Sequence, residues 1–492
     1  MNHHRLPIGR ALLLAVLLAG CAHRDGPGSD AAPARERFCG CPADLMQNIT
    51  AIESGDRPRF RVTALPAALS LDNRSGEEDR PCELELVGPA ARPENLFFRY
   101  GRPVEGGLRV TAIEGGVRIA YPVRKRSYAL ISVETPLSPP PDPCRSRAGD
   151  IEIEVAQGAR VRAHEPGLRV RSLGPATRVW LKNLSPSPRR IELILENTSE
   201  RLSRPRAAGL ENSSLVRTGL LEISLAGDLP PGQEARLDLE PLPLQPPFVV
   251  ALAGDSRERR DIFRRILARI PGEAEPLLMI FTGDLTYNSL PAELAPSAEL
   301  LASLPFPVFT LKGNHDTRAQ GDAWYRTLFG PERYAFAVGP LFFVMLDSNR
   351  WDEGGYHLGG EQLDWLEREL AGSPAPWKMI ALHAPPFPLH GPPPAGPNQN
   401  NLAEADAERL RAIASGAGVA YVLSGHAHLY ARTERDGVVY LTDGGGGAPL
   451  YGAEELPGFT VDTRKGLSLL HVESTGIREQ RIALERAEAP ER

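Results

Sequence analysis

Five short apolar runs, each ending on a residue able to bind a cation, constrain this chain more than any other feature. "FVVALAGDSR" ends at Asp255, "LLMIFTGDLTY" at Asp284, "FPVFTLKGNHD" at Asn314 and His315, "KMIALHAPP" at His383, and "VAYVLSGHAH" at His426 and His428. Runs that are apolar throughout are strands buried on both faces. Between them, "DIFRRILARI" and "EQLDWLEREL" gather isoleucine and leucine on one helical face. That alternation describes a layered α/β domain. In such domains the loops at the carboxyl ends of the strands converge on one crevice, so these scattered side chains can meet. Glycine precedes the polar residue in four of the five runs, which permits tight turns and close backbone approach. Two aspartates, an asparagine and three histidines are donors enough for two metal ions, with Asp284 able to bridge them.

The ordered set resembles the calcineurin-like metallophosphoesterase superfamily over residues 246–475. Its first block usually reads Asp-x-His, whereas this chain has "DSR". Arg257 keeps its proton and has no lone pair to offer a cation. Within the superfamily, purple acid phosphatases also lack that histidine and carry a tyrosine three residues after the bridging aspartate, which "GDLTY" resembles.

The resemblance implies a four-layer α/β/β/α domain in which Asp255, Tyr287 and His428 bind the first metal. Asp284 then bridges, and Asn314, His383 and His426 bind the second. A phenolate is a hard anionic donor, so Fe(III) is implied at the first position and divalent Fe, Zn or Mn at the second. Two cations so held activate a phosphoester toward water without a protein nucleophile. His315 would hold the substrate phosphate or protonate the leaving group. His390, in the proline-rich loop "PFPLHGPPPAGPNQNN", is a further candidate for that work. Arg257 is either a solvent-facing salt bridge to a glutamate or a phosphate contact beside the first metal. On the second reading Arg257→Ala raises KM and leaves bound metal unchanged. The run "TDGGGGAPLY" lacks the lysine of a phosphate-binding P-loop and reads as a tight loop bordering the site, with no catalytic role.

Ahead of this domain the grammar differs. Arg5 and Arg10 precede the apolar run "ALLLAVLLAG", too short to span a bilayer and fitting a signal peptide over residues 1–20. "LAGC" resembles the bacterial lipobox, which implies a lipid anchor on Cys21 and a tether over 21–37. An exported lipoprotein is expected, in the periplasm or at the cell surface. The alanine after Cys21 favours the outer membrane. Cys39, Cys41, Cys82 and Cys144 allow two disulfides in three pairings.

Short runs of period-two alternation, such as "RFRVTAL" and "RRIELILEN", indicate antiparallel sandwiches. They divide into a cysteine-containing β-rich region at 38–145 and an immunoglobulin-like sandwich at 148–243, with no evident internal repeat. Residues 476–492 read as a polar tail. A net charge of -6 gives no nucleic-acid footprint, and the oligomeric state is open. The function expected is acid phosphatase-type hydrolysis of phosphomonoesters. A phosphodiesterase or nucleotidase on the same residues is the alternative, and a binding lipoprotein with an inactive enzyme-like domain is the alternative of another class.

Overall fold

The computed structural model describes residues 37–485 apart from 40, 54–56, 74–76, 101–107, 124–126, 137–141, 143, 164–167, 258, 353–354, 390–400 and 452–455. Cys21, the signal segment, the loop bearing His390 and the last residues of the polar tail lie outside the described residues. No helix among the described residues is long and apolar enough to cross a membrane.

Period-two alternation does build strands in the first half, and they assemble into two sandwiches. Between Arg37 and Val133, ten strands form two five-stranded sheets that bury Phe60, Leu69, Leu84, Ile119 and Ile131 in one core. Between Arg145 and Pro241, another ten strands do the same around Ile153, Val170, Leu181, Leu193, Leu225 and Leu237. The second sandwich therefore starts at Arg145, inside the region assigned to the first.

Counted from its own first strand, each sandwich has the order 1-2-5-10-7 in one sheet and 3-4-6-9-8 in the other. One topology is used twice, a repeat that sequence reading missed. A polar detail repeats with it. Asn73 donates its amide to the Glu78 and Val123 carbonyls, and Asn183 donates to those of Ser187 and Leu229. Each buried amide closes the loop after its own strand onto the end of another.

The sandwiches are not wholly antiparallel. Arg59–Val62 runs parallel to Arg80–Val87, and Leu168–Ser172 runs parallel to Arg189–Glu196. In each case the intervening strand, Ala67–Asn73 or Arg178–Asn183, lies in the opposite sheet, so the chain returns in its original direction. Of the two expected disulfides, the described residues show one. Cys39 is bonded to Cys82, while Cys144 is a half-buried free thiol.

In the second half Phe248–Ala253, Leu278–Phe281 and Val308–Thr310 lie parallel, continued by antiparallel Gly466–Glu473 and Gly476–Ala483. A seven-stranded sheet centres on parallel Leu341–Met345, Trp377–Ala381, Val419–Ser424 and Val438–Asp443. Alternate side chains divide between the faces. Val250 and Leu252 meet Phe343, Met379 and Leu423 between the sheets, while Ala251 and Ala253 face Ile262, Phe263 and Ile266 of the helix Arg260–Leu267. Behind the larger sheet, Val344, Ile380 and Val422 pack on Leu363, Leu366 and Leu410 of the helices Gly360–Gly372 and Glu404–Gly416. The layers thus run helix, sheet, sheet, helix, with fully apolar strands where both faces are covered.

Val308–Thr310 is an edge strand, and the second sandwich covers it. The Val308 N–H donates to Asn197 Oδ1 at 2.9 Å, and its carbonyl accepts from Asn197 Nδ2 at 3.1 Å and Arg171 Nη2 at 2.9 Å. Ala159, Leu173 and Leu202 of that sandwich join the core between the sheets. Exposed edge groups would otherwise invite pairing with another chain.

Candidate metal centre

Four of the five runs deliver their polar residue just past the end of a strand. Asp255 follows Phe248–Ala253, Asp284 follows Leu278–Phe281, His383 follows Trp377–Ala381 and His426 follows Val419–Ser424. Asp255, Asp284 and His426 turn through left-handed backbone, with φ of 61°, 56° and 66°. That conformation costs a residue with a Cβ about 1–2 kcal/mol, and such strain gathers at functional sites. Hydrogen bonds hold it here: His426 N–H donates to Asp255 Oδ2 at 2.9 Å and Asp255 N–H to the Gly283 carbonyl at 2.9 Å. A Cβ on Gly313 would lie 2.1 Å from Asp284 Oδ1, and one on Gly425 would lie 2.6 Å from Asp255 Oδ2. Any larger residue at these two positions would displace a carboxylate.

The donors form two adjoining groups. Asp255, Asp284 and His428 bring ligand atoms within 4.8 Å of one another, all three residues being buried. Beside them, Asn314 Oδ1 lies 3.1 Å from His383 Nε2 and 3.0 Å from His426 Nδ1, two nitrogens themselves 3.2 Å apart. His383 Nε2 is also 3.3 Å from Asp284 Oδ1, which places Asp284 in both groups.

The chemistry of this set fits metal ions. His383 donates its Nδ1 proton to the Thr282 carbonyl at 2.7 Å, and His428 donates its own to Pro449 at 2.6 Å, so their Nε2 lone pairs face inward. Burial holds the His383 imidazole below the ordinary histidine range and holds His426 well below it. Asp255 Oδ1 is buried and receives no hydrogen bond. Burial, and then the charge of Asp284, pushes the Asp255 carboxyl well above its usual value. Burial also opposes ionisation of Asp284, yet His383 and Arg257 bring it below the usual carboxylate value. Lone pairs and carboxylates facing one another in a dry space suit a shared cation. One ion suits Asp255, Asp284 and His428, and a second suits Asp284, Asn314, His383 and His426.

Arg257 is not the solvent-facing salt bridge that one reading anticipated. Its side chain is 11% exposed, and its Nε donates to Asp284 Oδ2 at 3.1 Å. The partner is the shared aspartate rather than a glutamate. The Arg257 guanidinium lies 5.9 Å from the centre of the Tyr287 ring, and that ring lies 5.1 Å from His315. His315 donates its backbone N–H to Asp284 Oδ1 at 2.9 Å and its Nδ1 proton to the Tyr287 carbonyl at 2.8 Å. Tyr287, His315 and Arg257 therefore border the cluster together.

Sequence reading passed over three residues that hold the ligands. Asp316 accepts from the backbone of Gly313, Leu285 and Thr286 at 2.9, 3.2 and 3.0 Å, stitching the Asn314 loop to the Asp284 loop. Burial, and then Asp284, pushes its carboxyl up to about 7. "GNHD" contains it, but spacing does not separate a loop-pinning carboxylate from a ligand. Ser348 Oγ accepts from the His383 and Ala384 N–H groups at 3.2 and 2.9 Å, and Tyr356 meets His426 edge-on at 4.9 Å. No motif marks either.

Residues 248–430 match the calcineurin-like phosphoesterase family, and this part of the chain is a calcineurin-like metallophosphoesterase domain. A 3',5'-cyclic-nucleotide phosphodiesterase of Nostoc sp. is 31% identical over 164 residues, 33% of this chain and 60% of that protein. The 3',5'-cyclic adenosine monophosphate phosphodiesterase of Escherichia coli is 33% identical over 162 residues, 32% of this chain and 56% of that protein. The chain thus spans 56% to 60% of these relatives' length. Among solved structures, a purple acid phosphatase from yellow lupin seeds aligns with a TM-score of 0.42 at 12% identity, covering 87% of this chain and 92% of that one.

Proposed function

We propose that the chain hydrolyses phosphomonoesters at a dinuclear metal centre of the purple acid phosphatase type, outside the cytoplasm. The observation that carries this is the meeting of Asp255, Asp284, Asn314, His383, His426 and His428 in one buried cluster. When bound, two cations supply Lewis-acid polarisation of the phosphoester and activation of water near neutral pH.

The chain's own residues do the rest. Asp255, Asp284 and His428 hold the first cation with the Tyr287 phenolate, which favours Fe(III). Asp284, Asn314, His383 and His426 hold a divalent Fe, Zn or Mn. Arg257 neutralises one oxygen of Asp284 and offers a further N–H group to the phosphate, a gain greater for a dianionic monoester than for a monoanionic diester. His315, when both ring nitrogens carry protons, gives its Nε2 proton to the leaving oxygen and keeps its Nδ1 proton on the Tyr287 carbonyl. A lipid on Cys21 keeps the enzyme at a membrane surface.

The relatives named as cyclic-nucleotide phosphodiesterases favour a second reading, diester hydrolysis by the same residues. Purified mature chain is assayed on p-nitrophenyl phosphate, on bis(p-nitrophenyl) phosphate and on cyclic AMP, with metal content measured on the same sample. Preference for the monoester supports the first reading and preference for either diester the second. A chain that holds no metal and cleaves none of the three is a binding protein.

A further inference from the structure

The segment after the glycine run grips His428 from three sides. His428 Nδ1 donates to the Pro449 carbonyl at 2.6 Å, and the Tyr451 N–H donates to the His428 carbonyl at 3.1 Å. The Tyr451 ring lies flat on the imidazole, with centroids 4.2 Å apart and planes 8° apart. By contrast, His426 is met edge-on by Tyr356 at 70° and by His383 at 73°. A flat stack forbids rotation of the imidazole out of its plane, and the Nδ1 bond decides that Nε2 faces Asp255, 3.5 Å away. The far end of Tyr451 is engaged as well, because the Arg257 guanidinium lies beside its hydroxyl. Arg257 in turn donates to Asp284 Oδ2. One side chain joins a metal-binding imidazole to the cation beside the shared carboxylate.

We propose that Tyr451 is a positioning residue of the first metal position, fixing His428 with its ring and Arg257 with its hydroxyl. This rests on the reading of the cluster as a metal centre. The two contacts separate by substitution. Tyr451→Phe keeps the ring and loses the hydroxyl, whereas Tyr451→Leu loses both.

The full mature chain, stripped with chelator, is titrated with Zn2+ by calorimetry, and KM and kcat are measured on p-nitrophenyl phosphate after reloading. The leucine variant is expected to bind one of two Zn2+ ions about tenfold more weakly, as loss of a group that orients a ligand does. The phenylalanine variant is expected to bind both normally and to show KM raised about fivefold at unchanged kcat, the effect of a loosened hydrogen bond to a charged group. Normal affinity for both ions in a folded leucine variant overturns the proposal. Unchanged KM in the phenylalanine variant also overturns it, and decides alone if the leucine variant fails to fold. If the unsubstituted chain binds no Zn2+, the metal centre and this proposal fall together; if it binds two and the variants match it, only the role of Tyr451 falls.

Discussion

Arg257→Met keeps most of the bulk of this side chain and removes its charge, and its effects on metal and on phosphate should have opposite signs. The guanidinium donates to Asp284 Oδ2 at 3.1 Å between side chains that are 11% and 0% exposed. A hydrogen bond of this charged kind is worth about 1.5–3 kcal/mol, and it competes with any cation that uses the same oxygen. Two like unit charges 4 Å apart would repel by roughly 4 kcal/mol at an effective dielectric of about 20. The smaller figure is the better guide, because without arginine the buried Asp284 also loses a partner in the metal-free state. Released competition of that size corresponds to metal binding about 10- to 100-fold tighter. Loss of the phosphate contact should raise KM about tenfold. Zn2+ affinity is read by competition with a chromophoric chelator at pH 7, and inorganic phosphate affinity by calorimetry on the loaded protein. Metal binding unchanged or weakened, in a variant that melts with the unsubstituted protein, refutes the reasoning.

Asn197→Ala should destabilise the chain by about 2–4 kcal/mol, since it strands the Val308 N–H and removes two further hydrogen bonds at a residue 6% exposed. Asn197 sits at φ 60°, so Asn197→Gly separates lost bonding from backbone strain; a urea midpoint unmoved in both variants contradicts the edge-capping role. In metal-free protein, His383 and His426 stay neutral at pH values where unfolded histidines take up protons. Their contribution to stability is present above about 6.5 and declines as pH falls below it. Asp255, with its raised carboxyl, works in the opposite direction, so the difference between unsubstituted protein and His426→Gln is the informative quantity. That difference should shrink between pH 7.5 and about 5.5, and a constant difference would contradict it. In iron-loaded protein, Tyr287→Phe should abolish a visible absorption band that Tyr451→Phe preserves; a band surviving in the first variant removes Tyr287 from the first metal.

The donors were legible because a strand buried on both faces must be apolar, so a polar residue at its end stands out, and Asp255, Asp284, His383 and His426 all occupy that place. What holds them was not. Tyr451 lies at the end of a glycine run that spacing gives no reason to read as chemical, and its stack on His428 exists only once two distant loops meet. The partner of Arg257 was misjudged because a sequence shows nearby glutamates but not the carboxylate that the fold brings to it. In the sandwiches, alternation gave the strands, while Asn73 and Asn183 were the visible trace of the shared topology, and single asparagines at strand ends are common in turns. The parallel pairs escaped because local patterning does not say which sheet the next strand joins.

The junction at Val308 bears on how this protein can be divided. A fragment beginning near residue 246 would carry all six cluster residues, yet it would leave behind the asparagine and arginine that occupy the Val308 backbone, and the apolar groups Ala159, Leu173 and Leu202. Its outermost strand would meet water bare, and copies of such a fragment would tend to join edge to edge. The neighbouring sandwich thus serves the cluster-bearing domain as a permanent built-in chaperone.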